Sequence, residues 1–236
     1  IKAVVRYKMR ALTKAYLLLY NLCLASQWTI ILLETVLAKT SEQVYDKTWP
    51  WLRVAQTLAA LEVVHAFVGI VNSPAHLTFV QVFSRVWTTW AVLFAAPETR
   101  KHSVPVFGQL KIDARSLCLA WSITEVVRYQ FYFCKVLGRG TPRVLVWLRY
   151  TLFVALYPIG VASELALAKR AIASIAKSKI LDFVEMPNRL NVSVHGPTLM
   201  KVFMSCYAFG FPVLYSYMLA QRKKVIRDVW RNAKKL

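Results

Sequence analysis

A tyrosine and a glutamate at a seven-residue spacing are the side chains of this sequence best suited to acid–base chemistry. Tyr157 and Glu164 lie within a strongly apolar run, 144–170, and Tyr150 stands a further seven residues upstream. At about 3.6 residues per turn, side chains spaced in this way share one face of a helix. An ionisable residue inside an apolar span indicates a functional site, because an unpaired charge in hydrocarbon is costly.

Two residues between this tyrosine and this glutamate affect the helix that carries them. Pro158 has no backbone N–H and its ring clashes with the carbonyl of Val154, which predicts a kink after Tyr157. Gly160 has no side chain, which predicts that another backbone approaches closely there. We therefore expect a bent helix packed tightly against a neighbour.

The apolar residues come in blocks long enough to cross a lipid bilayer. The 236 residues are 57% hydrophobic, and a membrane-spanning helix needs about 20 mostly apolar residues. We predict an all-α, polytopic membrane protein with six transmembrane helices in one bundle, forming a single domain, 1–236. The predicted spans are 16–38, 52–71, 77–95, 112–136, 144–168 and 199–220. The predicted loops include 39–51, with its Trp-Pro-Trp sequence, the polar segment 96–111 and the amphipathic or irregular connection 172–201.

The formal net charge of +20 is concentrated at the two ends of the chain. Five basic residues precede the first predicted span and seven follow the last. No basic–aromatic recognition motif accompanies them, which argues against nucleic-acid binding. Basic flanks beside apolar spans indicate the cytoplasmic side and contact with anionic membrane lipid. With six spans, both termini are predicted to be cytoplasmic.

Three arginines are predicted to lie in the cytoplasmic half of the bilayer. From the predicted span ends, Arg149 lies about 8 Å deep and Arg85 and Arg128 about 12 Å deep. Together they predict a polar cavity open to the cytosol, with Glu62 and Glu125 as possible partners. Because arginine binds phosphate in a bidentate way, such a cavity suits a phosphate-bearing ligand. Glu125 and Arg128, three residues apart, are more simply interpreted as a structural ion pair.

The sequence predicts no metal, no cofactor and no disulfide framework. The four cysteines lie singly in apolar segments, and the four histidines are equally scattered. Neither set has the close spacing of metal ligands or redox pairs.

Several blocks of the sequence resemble one enzyme family. They are LEVVHAFVGIVNSP (61–74), QVFSRVW (81–87), WSITEVVRYQFY (121–132) and WLRYTLFVALYPIGVASEL (147–165), with YLLLYNL (16–22) and AQRKKV (220–225) near the ends. The family is the very-long-chain (3R)-3-hydroxyacyl-CoA dehydratases, also called protein-tyrosine-phosphatase-like. The resemblance implies a six-span enzyme of the endoplasmic reticulum that converts 3-hydroxyacyl-CoA into trans-2-enoyl-CoA during fatty-acid elongation. It also implies that other elongation enzymes are partners.

The same resemblance assigns roles to individual residues. It implies that Tyr157 and Glu164 are the catalytic pair, with supporting or substrate-binding positions at Arg85, Arg128, Arg149 and Gly160. One member of the pair would remove the C2 proton and the other would protonate the departing C3 hydroxyl, and which is the acid stays open. On an ideal helix the two lie about 10 Å apart along the axis. The kink, a water molecule or Ser163 would have to close that gap.

Other functions compete with the dehydratase. A cysteine phosphatase needs a thiolate in a phosphate-cradling loop closed by an arginine, and the matching positions of HAFVGIVNSP hold Ala66 and Asn72. A transporter or lipid-handling protein would line a pathway with its buried charges, but no internal repeat is visible. A non-catalytic scaffold would be expected to lack the pair of Tyr157 and Glu164, which this chain retains.

Overall fold

Almost the whole chain is helical. The computed structural model describes residues 2–233 apart from 102, 108, 109, 184, 185, 187, 188 and 190–192. Its α-helices are α1 (Lys2–Leu37), α2 (Ser41–Ala59), α3 (Leu61–Phe67), α4 (Ala75–Trp87), α5 (Ala114–Leu137), α6 (Arg143–Thr151), α7 (Phe153–Ser178) and α8 (Gly196–Ala233). A π-helix, Thr88–Phe94, continues α4, and a 3₁₀-helix follows at Pro97–Lys101. The all-α prediction is confirmed.

A short hairpin interrupts the helices within the segment predicted as a polar loop. Strand β1 (Val104–Phe107) pairs antiparallel with β2 (Leu110–Ile112). The hairpin leads directly into α5.

Helix α5 is the central element and contacts α1, α2, α6 and α7. A capping box begins it, because the Asp113 side chain accepts from the Ser116 N–H at 3.0 Å and the Ser116 hydroxyl oxygen accepts from the Asp113 N–H at 2.9 Å. Gly138, in the left-handed region at φ 81°, ends it. These local signals place the helix within two residues of the predicted span 112–136.

The main core lies where α1 packs against α5. Leu24, Trp28 and Ile31 of α1 are completely buried and recur with the period of one helical face. They form one cluster with Leu117 and Trp121 of α5. The opposite, outward surface exposes large apolar side chains, including those of Leu12, Leu19, Leu33, Phe67, Phe209 and Val213. An apolar outer surface of this kind is typical of a protein that contacts lipid.

Three helical stretches of the described chain are long and apolar enough to cross a membrane: 10–37, 75–94 and 196–227. The pair α6 and α7, bent by 41°, is a fourth candidate. The prediction of six spans is not confirmed. Helices α2 and α5 each carry four charged residues, which makes them more polar than an isolated spanning helix.

The predicted loop 39–51 is wrong, because α2 begins at Ser41 and includes the Trp-Pro-Trp sequence. The Thr40 hydroxyl oxygen caps this helix by accepting from the Gln43 N–H at 3.2 Å. Glu42 lies in the first turn, where negative charge is favourable. The predicted second span, 52–71, is therefore the second half of α2 followed by the separate short helix α3.

A bend of 41° lies at Leu152, between α6 and α7, five residues before Tyr157. Pro158 is accommodated inside α7. Because proline has no N–H to donate to the Val154 carbonyl, that oxygen is left for another donor. The hydroxyl of Tyr215 on α8 donates to it at 3.0 Å. Helix α7 then continues to Ser178, into the segment predicted to be amphipathic or irregular.

Candidate active site

Glu164 lies inside the protein with a hydrogen bond on each carboxylate oxygen. It is 5% exposed. Its Oε1 accepts from the indole N–H of Trp121 on α5 at 3.1 Å, and its Oε2 accepts from the hydroxyl of Tyr207 on α8. Each oxygen of a carboxylate has two lone pairs, and these two described donors engage one on each oxygen. The carboxylate is thus fixed in position and still able to exchange a proton.

Tyr157 is half-buried on the same helix, and its ring lies against α8. The ring stacks on Phe211 with centroids 5.3 Å apart and on Tyr215 with centroids 6.2 Å apart. Within the described part of the chain, no group hydrogen-bonds the Tyr157 hydroxyl. This phenol is therefore held by its ring and has its proton available.

Ser163 does not bridge the gap between Tyr157 and Glu164, as was one possibility from the sequence. The bend at Leu152 precedes both residues. The hydroxyl of Ser163 donates to the Ile159 carbonyl at 2.8 Å and also lies 2.8 Å from the Ser116 hydroxyl of α5. Ser163 thus joins α7 to α5 instead of joining the tyrosine to the glutamate.

The face of α8 that meets α7 is an aromatic stripe at four-residue spacing: Phe203, Tyr207, Phe211 and Tyr215. Tyr207 contacts Glu164, whereas Phe211, one turn later, contacts Tyr157. Sequence analysis did not identify Tyr207, although its regular spacing with the other aromatic residues marks one face of the last helix. The stripe connects the two candidate catalytic residues through a second helix.

The π-helix after α4 faces the same carboxylate. Thr88, its first residue, is completely buried, and its hydroxyl lies beside Glu164 and Tyr207. Among the described residues that hydroxyl has no hydrogen-bond partner. Single π-helical turns occur frequently at functional sites, and this one brings a polar group to the carboxylate.

Arg85 connects the carboxylate site to an ion-pair network. Its Nη1 lies 2.7 Å from Glu125 Oε1. Its guanidinium stacks over the rings of Trp28 and Trp121, 5.7 and 5.4 Å from their centroids. Since the N–H of Trp121 donates to Glu164, one indole supports both Arg85 and the candidate catalytic carboxylate.

Arg128 is held between two glutamates. It donates two parallel hydrogen bonds to Glu62, at 2.7 and 2.8 Å, and two more to Glu125 Oε2, at 2.9 and 2.5 Å. Glu62 also accepts from the hydroxyl of Tyr129. The predicted ion pair of Glu125 and Arg128 is confirmed. Because Arg85 shares Glu125, two arginines and two glutamates balance one another, and neither arginine is free to bind a phosphate.

Arg149 differs from the other two arginines, because no described carboxylate pairs with it. It donates to the Tyr132 hydroxyl at 3.0 Å, and its guanidinium lies over the rings of Phe131 and Tyr132 at 4.6 and 4.7 Å. Its Nε is buried without a partner among the described residues. Arg149 therefore presents an unbalanced positive charge that an anionic ligand would neutralise.

Gly160 is buried against α5, but a side chain and not a backbone faces it. A β-carbon built at Gly160 would lie 3.8 Å from the Ala120 β-carbon and 4.0 Å from the Trp121 ring. These are ordinary contact distances. The prediction that another backbone approaches closely at Gly160 is therefore wrong. A larger side chain at this position would instead meet the Trp121 ring.

Two recesses of the described structure lie away from this site. One, of about 510 Å³, is lined by Tyr45, Asp46, Trp49, Phe94 and Pro97. The other, of about 500 Å³, lies between α1, α5 and α6 and is almost entirely apolar. Neither is the polar cavity predicted around the three arginines. Within the described ranges, no three His, Cys, Asp or Glu side chains come together as metal ligands.

The fold and the site together define a class of all-α proteins with lipid-compatible helices. In this class a phenol and an indole hold a buried carboxylate, here that of Glu164. A balanced ion-pair network lies beside it. Residues 56–228 match the family model described as protein tyrosine phosphatase-like protein, PTPLA. The chain belongs to this family.

Curated relatives cover nearly the whole chain. A very-long-chain (3R)-3-hydroxyacyl-CoA dehydratase of Caenorhabditis elegans, hpo-8, is 40% identical over 217 residues, which is 90% of this chain and 95% of that protein. The dehydratase PASTICCINO 2 of Arabidopsis thaliana is 38% identical, covering 90% and 93%. The human dehydratase 2 is 36% identical, covering 94% and 85%. No solved structure matches the chain.

Proposed function

We propose that this protein removes water from (3R)-3-hydroxyacyl-CoA to give trans-2-enoyl-CoA, the dehydration step of very-long-chain fatty-acid elongation. Its relatives are named for this activity, and the match covers 85–95% of their length. The observation that carries the proposal is the pair on α7, in which Glu164 is buried and hydrogen-bonded, while no described group hydrogen-bonds the Tyr157 hydroxyl.

In the proposed reaction Glu164 takes the C2 proton beside the thioester. The electron pair of that C–H bond forms the C2–C3 double bond, and the C3 hydroxyl leaves as water with a proton from Tyr157. Each proton transfer by a positioned group contributes about 10²–10⁴-fold to the rate. In the reverse assignment protonated Glu164 is the acid, and Tyr157 must then act as a phenolate base.

Arg149 is the proposed ligand for the negative charge of the substrate. Arg85 and Arg128 are engaged with carboxylates, and their proposed role is to support the helices around Glu164. Arg149 has a partly free guanidinium on α6, the helix directly before α7. It would bind a phosphate of coenzyme A or the thioester oxygen.

The test is turnover of a 3-hydroxyacyl-CoA by detergent-purified Tyr157→Phe and Glu164→Gln protein. We expect each variant to lose about 10²–10⁴-fold in kcat. Tyr217→Phe is the matched control, because this exposed tyrosine lies on α8 away from the pair. Near-normal turnover in both variants, with the protein folded, would reject the mechanism.

We also propose that the family's six-span arrangement applies to this chain, in the endoplasmic reticulum membrane and with both termini in the cytosol. The spans would be α1, α2 with α3, α4 with its π-helix, α5, α6 with α7, and α8. The charged residues of α5 support this arrangement, since Glu125 and Arg128 are balanced inside the protein. Other elongation enzymes are the proposed partners.

A further inference from the structure

We propose that Tyr207 is a positioning residue that fixes the Glu164 carboxylate for proton transfer, a role that rests on the proposed function. Its hydroxyl donates to Glu164 Oε2, on the opposite oxygen from the one that Trp121 engages. With one donor on each oxygen, the carboxylate cannot rotate without breaking a hydrogen bond inside the protein.

The surroundings of Tyr207 suit a positioning role. Its ring packs edge-on against Phe203, with centroids 5.2 Å apart, and it lies on the aromatic stripe whose next member, Phe211, stacks on Tyr157. The stripe therefore contacts both candidate catalytic residues from one helix. A hydrogen bond between a phenol and a charged carboxylate is stronger than one between neutral groups.

The expected consequence is a change in kcat with little change in KM. Tyr207→Phe keeps the ring and its packing but removes the donor, so Glu164 adopts its reactive orientation less often. We expect kcat to fall about 10- to 100-fold, the range for loss of a hydrogen bond to a charged group. Since Tyr207 acts through Glu164, substrate binding is unaffected, and KM should stay within about twofold of the wild-type value.

A double-mutant cycle with Glu164→Asp tests the coupling. The shorter aspartate retains a carboxylate and measurable activity but withdraws it from Tyr207. Adding Tyr207→Phe to Glu164→Asp should lower kcat by less than about twofold, although the same change costs at least tenfold in wild type. Equal losses in both backgrounds would overturn the proposal, as would a normal kcat for Tyr207→Phe or a rise in KM that matches the loss of kcat/KM.

Tyr207→His separates the donor from the size of the side chain. Histidine keeps a ring and an N–H donor, so kcat should recover above that of Tyr207→Phe, and this variant replaces Tyr207→Phe in the cycle if the latter does not fold. If folded Tyr207→Phe and folded Tyr207→His lose kcat equally, the role of Tyr207 as a hydrogen-bond donor would be overturned. Tyr217→Phe serves again as the control. A wild-type protein that does not turn over a 3-hydroxyacyl-CoA would instead reject the proposed function, so the two failures are distinguishable.

Discussion

At the scale of single residues, ion pairing separates three arginines that look alike in the sequence. Arg85 and Arg128 are bound to glutamates, while Arg149 rests on aromatic rings with no described carboxylate beside it. The sequence indicated Glu62 and Glu125 as possible partners of the arginines, but not that one glutamate would bind two arginines. Sharing of Glu125 between two arginines depends on the contact between α4 and α5, which no local spacing records.

We expect Arg128→Met to destabilise the protein severely. Removing one partner of a buried ion pair costs about 3–5 kcal/mol, because the remaining charges are left uncompensated, and here both Glu62 and Glu125 lose a partner. The measurement is thermal unfolding in detergent. Arg53→Met, at an exposed position of α2, should change stability by less than about 0.5 kcal/mol. Equal stability of the two variants would contradict the network described here.

For Arg149→Gln we expect a binding defect. Losing a charge-assisted hydrogen bond to an anionic substrate should raise KM about tenfold or more, while kcat changes less and the fold persists. Steady-state kinetics with a 3-hydroxyacyl-CoA measures this, with Arg53→Gln as the control. An unchanged KM would show that Arg149 does not contact the substrate's charge.

The catalytic candidates themselves were predictable to different degrees. Spacing within an apolar run identified Tyr157 and Glu164, and the family resemblance assigned their roles. Tyr207 was missed because aromatic residues four apart on an apolar helix are the ordinary pattern of packing. Its role depends on α8 meeting α7 at the level of Glu164, which is a property of the tertiary structure.

At the scale of helices, Gly160 is a spacer beside the indole that holds Glu164. We expect Gly160→Ala to retain folding and activity within about threefold, because a methyl group fits at ordinary contact distances. Gly160→Val should lower kcat about tenfold or more, since its extra methyl groups displace Trp121 and weaken the bond to Glu164. Assaying both variants beside their melting temperatures tests this. A fully active valine variant would show that Trp121 tolerates displacement.

Helix boundaries were predictable where the sequence carries strong local signals. Asp113, Ser116 and Gly138 fix both ends of α5, and the predicted span matches. The prediction failed for 39–51, which was expected to be a loop although Thr40 caps a helix there. At Pro158 the helix continues, and the Tyr215 hydroxyl supplies to the Val154 carbonyl a donor that a sequence window around the proline does not contain.

At the scale of the whole molecule, the proposed six-span arrangement places two exposed positions on opposite sides of the membrane. Glu98 follows the third proposed span and Arg139 follows the fourth. In a cysteine-free background and sealed microsomes, Arg139→Cys should react with an impermeant maleimide, whereas Glu98→Cys should react only after permeabilisation. Labelling of both sites in sealed vesicles would rule out this topology.

The two terminal candidate spans are longer than a bilayer is thick. The stretches 10–37 and 196–227 contain 28 and 32 residues, about 42 and 48 Å at 1.5 Å per residue, whereas the hydrocarbon core measures about 30 Å. Helices of this length tilt or extend into the headgroup layer. Tyr207 on α8 contacts Glu164. A change in the tilt of α8 therefore also changes the contact between Tyr207 and that carboxylate. Lipid thickness thereby becomes a variable of the proposed reaction site itself.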